Sequence, residues 1–263
     1  MDRARLGYTY GDSEVAARRL GLLAAVLRPT SEAFLRRTMR SPVGSAVDLG
    51  CGPGFTTRLI AEVVRPAELV GLDASTGFVE RARIDAPEGV SFAVHDARNV
   101  PFPRGPADLV YCRLLLPHLP EPAEVVARWS TQVNPGGHLL LDELDSVESH
   151  DPVLTRYLEV AKTRVAAGGG RLFIGDDLGA MGAPAGFTRA TSDVVEFHPD
   201  ASRVAEIFLL NLDAIGRDAV EVDGYPKEAL EALTVELSEL ARAGRADCTW
   251  RTRQIAFVRG ATQ

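Results

Sequence analysis

From residue 45 onward, short apolar runs alternate with segments of helical length, and this alternation restricts the fold more than any other feature. The runs are Ala46–Leu49, Glu68–Asp73, Val90–Asp96, Ala107–Arg113 and Gly137–Glu143. Helix-length segments lie between them at Phe55–Val64, Thr76–Asp85 and Pro122–Val133, and the connection after Asp96 is short and bears proline. Leu109-Val110-Tyr111-Cys112 and Leu139-Leu140-Leu141 are apolar at every position, as strands buried on both faces must be. Such strands alternating with helices build a parallel sheet. Phe187–Phe197 and Thr249–Arg259 read as two later strands, which brings the expected sheet to seven. The fold class is therefore α/β, a doubly wound and mostly parallel sheet with helices on both faces.

The flanks read differently. Val15, Leu20, Leu22, Leu23, Val26 and Leu27 recur near helical spacing. Pro29-Thr30-Ser31-Glu32 is expected to end that helix and start a second, short one. Ser41-Pro42-Val43-Gly44 then punctuates the chain. Beyond Glu143, Val153–Ala167 has a helical pattern that Gly168-Gly169-Gly170 stops. Helices over Ser202–Gly216 and Pro226–Ala243 fall between the two late strands, which predicts a helical lid inserted before the last strand.

Composition excludes several classes. The chain has 263 residues, of which 46% are hydrophobic and 25% charged, a balance that supports a packed globule rather than disorder. Lys plus Arg is 29 against 36 Asp plus Glu, a formal charge of −7, which disfavours a nucleic-acid partner. No run approaches the roughly 20 apolar residues of a membrane span, so no membrane partner is expected. The N-terminus lacks a signal-peptide layout. Cys51, Cys112 and Cys248 are odd in number and widely spaced, which fits reduced thiols and a cytoplasmic location. His95, His118, His138, His150 and His198 show no metal-ligand spacing, so no metal is expected.

The sharpest local signal is Val47-Asp48-Leu49-Gly50-Cys51-Gly52-Pro53-Gly54-Phe55, which joins the first strand to the first helix of the sheet. In an open parallel sheet this is where a small cofactor binds. Phe55 stands where a dinucleotide site would carry its third glycine, and Phe55-Thr56-Thr57 replaces the Gly-Lys-Ser/Thr of a phosphate cradle. Asp48, ending the first strand, repels phosphate and attracts an ammonium or sulfonium group. Asp73, ending the second, suits both hydroxyls of a ribose. Asp96, ending the third, can accept from an exocyclic amine while the Ala97 amide donates to a ring nitrogen. Three acidic strand ends suit a cationic adenosine ligand better than a phosphorylated one.

These residues carry a resemblance. Asp48-Leu49-Gly50-Cys51-Gly52-Pro53-Gly54, Val70-Gly71-Leu72-Asp73-Ala74-Ser75 and His95-Asp96-Ala97 resemble the first three motifs of class I S-adenosylmethionine-dependent methyltransferases. Ala107–Arg113 and Asn134–Leu141 resemble the fourth- and fifth-strand motifs that follow. The chain is similar to the small-molecule, ubiquinone-biosynthesis-type branch. The resemblance implies a Rossmann-like fold and methyl transfer from S-adenosylmethionine to O, N or C of a small, apolar or aromatic metabolite, with S-adenosylhomocysteine as product. It implies a cofactor-binding set of Asp48, Gly50, Cys51, Gly52, Gly54, Asp73, Ala74, Asp96, Ala97, Arg113 and Leu114. The change of texture along the chain divides it into an N-terminal helical segment (1–40), a cofactor-binding core (41–150) and a C-terminal part (151–263) with its substrate lid at about 200–244.

Tyr8 and Tyr10 precede the first helix, where aromatics either fold over the cofactor or anchor the segment to the core. His118, just past the fourth strand, is the histidine best placed to act as a base, and packing on the cofactor is its competing role. Glu143 ends the fifth strand and is a second catalytic candidate. The apolar stripe Val204, Ile207, Phe208, Leu209, Leu212 and Ile215 suits a core, a roof over the acceptor or a homodimer contact. Two alternatives share this scaffold. One is a cyclase or isomerase that retains the cofactor. The other, a nucleic-acid methyltransferase, is disfavoured because Arg113-Leu114-Leu115-Leu116 stands where a Pro-Pro motif would be needed.

Overall fold

The computed structural model describes residues 12–84, 86–244 and 246–261. Seven strands form one sheet: β1 (Ser45–Leu49), β2 (Glu68–Asp73), β3 (Val90–Val94), β4 (Ala107–Arg113), β5 (Val133–Glu148), β6 (Phe187–Phe197) and β7 (Thr249–Arg259). Their order is β3-β2-β1-β4-β5-β7-β6. The first five run parallel, and β7 is antiparallel to both neighbours. Strand order reverses between β1 and β4, so their carboxyl ends open the crevice in which such sheets bind ligands.

Alternation along the strands explains the two-sided core. Val47, Leu49, Val110, Leu139 and Leu141 point to one face, beneath Phe102 and Trp129. Ala46, Leu69, Leu109, Tyr111 and Leu140 point to the other, beneath Phe34, Leu35 and Ile60. The helices that cover these faces are α1 (Glu14–Thr38), α2 (Phe55–Val63), α3 (Thr76–Ile84) and α4 (Pro122–Ser130), with a 3-10 turn at Leu116–His118. A separate apolar cluster joins α5 (Pro152–Ala167), α7 (Ala201–Glu221) and α8 (Lys227–Ala243) to Leu27 and Trp250. This is the helical cover expected from the sequence.

Three details depart from the sequence reading. First, α1 runs unbroken through Pro29, with no second helix. The backbone hydrogen bond that proline removes is offset by tertiary anchoring of the next turn. Thr30 Oγ1 donates to the Leu27 carbonyl at 2.9 Å, Gln254 Nε2 donates to the Thr30 carbonyl at 3.2 Å, and Ser31 Oγ donates to Asp142 at 2.6 Å. Second, a short helix α6 (Gly175–Ala180) carries too few apolar residues for a visible period, although Leu178 is buried. Third, β5 runs five residues beyond Glu143 because β7 pairs with it as far as Glu148 opposite Thr249. The glycine stop after α5 is present: the Gly168 amide donates to the Arg164 and Val165 carbonyls, and Gly169 takes φ +81°.

No helix among the described residues is long and apolar enough to cross a membrane.

Candidate active site

A cavity of about 550 Å³ opens at the switch point and continues under the helical cover. One end is built by the loop after β1. Its amides are fixed from β2: Gly50 and Cys51 donate to the Leu72 carbonyl at 2.8 and 3.0 Å, and Gly52 donates to Asp73 Oδ2 at 2.8 Å. Gly52, at φ +51°, faces the cavity with its Cβ position open except for Leu20 at 3.5 Å. Gly54 has a different need. At φ +87° it starts α2, and a Cβ there would lie 2.9 Å from Phe92.

Asp73 is the hinge of this end. Besides Gly52 it accepts from the Ser75 amide at 2.8 Å, and it lines the cavity beside Ala74 and Ser75. Burial, the main cause, and neighbouring Asp12 raise its pKa, while the two amides oppose that rise. Asp12 accepts from Ser75 Oγ at 2.8 Å and adds a second carboxylate to the rim. The sequence reading did not single out Asp12, because its partner lies 63 positions away.

The remaining sequence candidates fall into two groups. Gly50, Cys51, Gly52, Asp73, Ala74, Arg113, Leu114 and His118 line the cavity. Gly54, Asp48, Asp96, Ala97 and Glu143 do not. Asp48 is 1% exposed, accepts from Thr57 Oγ1 at 2.6 Å, and leaves Oδ1 buried without a partner among the described residues. Burial pushes its pKa up to about 7. Asp96 is gripped by Arg98 at 2.5 Å, and that hydrogen bond lowers its pKa. Tyr8 and Tyr10 lie outside the described residues.

Glu143 lies behind the wall, fully buried. Its Oε1 accepts from the Leu115 and Leu116 amides at 3.1 and 3.2 Å and from the Cys112 thiol at 3.4 Å. Just before these amides, Leu114 sits in the left-handed region at φ +55°, which a leucine adopts at a cost. Glu143 thus fastens the sharp turn that presents Leu114, Pro117 and His118 to the cavity. Burial lifts its pKa to about 7. His118 moves the opposite way: burial, helped by the charge of Arg19, lowers it to about 4.

The far end of the cavity comes from distant segments. Leu23 and Ala24 of α1, Tyr157 and Leu158 of α5, and Ile207 and Phe208 of α7 wall it, with Phe173 and Trp250. Tyr157 stacks on Phe208 at 3.8 Å between ring centroids. Arg19, Asn211 and Arg171 are polar members, the last held by Asp177. Of these, Ile207 and Phe208 belong to the stripe seen in the sequence; α8 only backs α7.

The donor set fits an adenosylated sulfonium. Carboxylates and backbone amides, with Arg113 turned to Ser31 and no lysine, form the strand-end half, and an apolar chamber lies beyond. Comparison with known proteins agrees. Residues 47–141 match the family described as Methyltransferase domain. Over that stretch the chain is similar to a methyltransferase domain. It is 36% identical over 160 residues to trans-aconitate 2-methyltransferase of Methylobacterium radiotolerans, a stretch covering 61% of this chain and 60% of that relative. The chain thus spans less than two thirds of that relative's length. Among solved structures, coclaurine N-methyltransferase bound to N-methylheliamine superimposes with a TM-score of 0.59 at 15% identity, covering 88% of this chain and 72% of the other. The [4+2]-cyclase SpnF superimposes with a TM-score of 0.54 at 19% identity, covering 90% and 82%. At those identities the methyltransferase and the cyclase show a shared fold alone.

Proposed function

We propose that this protein moves a methyl group from S-adenosylmethionine to a small molecule with a largely apolar body. One observation supports this above all: a single cavity runs from the Gly50–Gly52 loop and Asp73 into a chamber walled by Tyr157, Phe208 and Trp250, so donor and acceptor have adjoining places. When bound, S-adenosylmethionine supplies a methyl already activated by its sulfonium charge. The residues then have three tasks. Asp73 and the glycine loop hold the ribose and methionine side, with Asp48 acting behind them. The Leu114–His118 turn, fixed by Glu143, lines the transfer zone. The helices α5 and α7 exclude water and align the acceptor.

His118 with a pKa near 4 is neutral at neutral pH and a weak base. Its role in this reading is to orient the acceptor through a hydrogen bond. Glu143 acts on the turn and not on the substrate. The acceptor named by the Methylobacterium relative, trans-aconitate, offers a starting compound for assay.

The experiment is turnover with candidate acceptors followed by mass spectrometry. One S-adenosylhomocysteine per methylated product is expected. Conversion of the acceptor with no S-adenosylhomocysteine released would overturn methyl transfer in favour of a cyclase or isomerase.

A further inference from the structure

We infer that Arg19, Asn211 and Tyr157 form an anion-binding subsite in the chamber, and that the acceptor is an apolar-bodied acid held by its carboxylate there. The inference rests on the proposed cavity and deepens it by naming the substrate class.

The three residues come from α1, α7 and α5 and meet only through the fold. Arg19 is 3% exposed yet lines the cavity. Its Nη1 donates to Asn211 Oδ1 at 3.1 Å, and Asn211 Nδ2 donates to the Tyr157 hydroxyl. That chain restrains one corner of the guanidinium, and a planar fork matches a carboxylate better than a flexible ammonium does. The charge of Arg19 reaches into the cavity, where it helps hold His118 neutral. An entering cation meets the same repulsion, whereas an anion is drawn in, and the low polarity of the walls strengthens both effects. The stacked rings of Tyr157 and Phe208 make a flat apolar wall beside the guanidinium, shaped for a hydrocarbon or aromatic body.

The subsite is separate from the strand-end half, where Asp12 and Asp73 make the rim acidic. The two ends therefore sort charge: a cationic ligand favours the rim, and an anionic one the chamber.

Calorimetry with S-adenosylhomocysteine at saturation tests this. The probes are 3-phenylpropanoate and octanoate, each with its matched amide and primary amine. At least one acid should bind ten times or more tighter than its amide, and the amines should not bind. In Arg19→Met the acid preference should fall to within threefold, with S-adenosylhomocysteine affinity changed less than threefold. Asn211→Asp places a carboxylate on Arg19 from within and should abolish acid binding in a chain that still melts cooperatively, which covers the case of Arg19→Met failing to fold. Acids that bind no better than amides would sink the inference. So would parallel loss of S-adenosylhomocysteine and acid in Arg19→Met, which would move Arg19 to the methionine side. Failure of the wider reading is distinguishable, because it appears as no S-adenosylhomocysteine binding before any probe is added.

Discussion

The two ends of the cavity are made in different ways. The strand-end half is local: Gly50, Gly52, Asp73 and Ser75 lie within 26 positions, and backbone amides do most of the holding. The chamber is assembled from α1, α5, α7 and β7, with Arg19 touching Asn211 across 192 positions. A half built on backbone geometry keeps one ligand chemistry for as long as the loop persists. A half built on side chains from distant helices can be respecified by a few substitutions without disturbing the loop.

Substitutions can break or sharpen this contrast. The largest effect is expected where α1 is fastened to the sheet and both halves depend on it. Asp142 accepts from Ser31 Oγ at 2.6 Å, Tyr111 Oη at 2.7 Å and Gln254 Nε2 at 3.0 Å, all buried. Asp142→Ala strands three donors and should cost on the order of 4 kcal/mol, read as a denaturation midpoint, with both ligand sites weakened together. Asp73→Ala should separate the halves. S-adenosylhomocysteine affinity should drop tenfold or more, because hydrogen bonds to a carboxylate are worth about 1.5–3 kcal/mol, while acid binding in the chamber survives. Unchanged affinity by calorimetry would remove Asp73 from the ribose.

Phe208→Leu probes the other side. Losing an aromatic stack worth about 0.5–1.5 kcal/mol should raise the acceptor KM roughly two- to tenfold, with the cofactor KM unmoved. Equal changes in both constants would merge the two halves. The smallest effect concerns Glu143, whose pKa rises from 4.5 to about 7 on folding. A raised carboxyl binds its proton more tightly in the folded chain. Its stabilising contribution is therefore complete below about pH 4.5 and lost as pH rises through 7. Between pH 5 and 8 the wild-type melting temperature should fall more steeply than that of Glu143→Gln, by about 5 °C. Parallel profiles would contradict the assignment.

The same contrast governs what could be read in advance. The parallel sheet was legible because its strands are apolar throughout, and the glycine loop because its residues are contiguous. The continuous α1 was not, since Pro29 is a local signal and its compensation by Gln254 and Asp142 comes from the far side of the sheet. Asp12, Arg19 and Asn211 were missed because each draws its meaning from a partner far along the chain. Glu143 was visible as a strand-end carboxylate, but only the left-handed Leu114 reveals the turn it secures.

The insertion of β7 between β5 and β6 carries one more consequence. On the ribosome, residues 187–243 emerge before the strand that connects them to the sheet, and that strand also carries Gln254, which steadies the middle of α1. The nascent polypeptide can thus wind its early βα units while the acceptor compartment stays unformed.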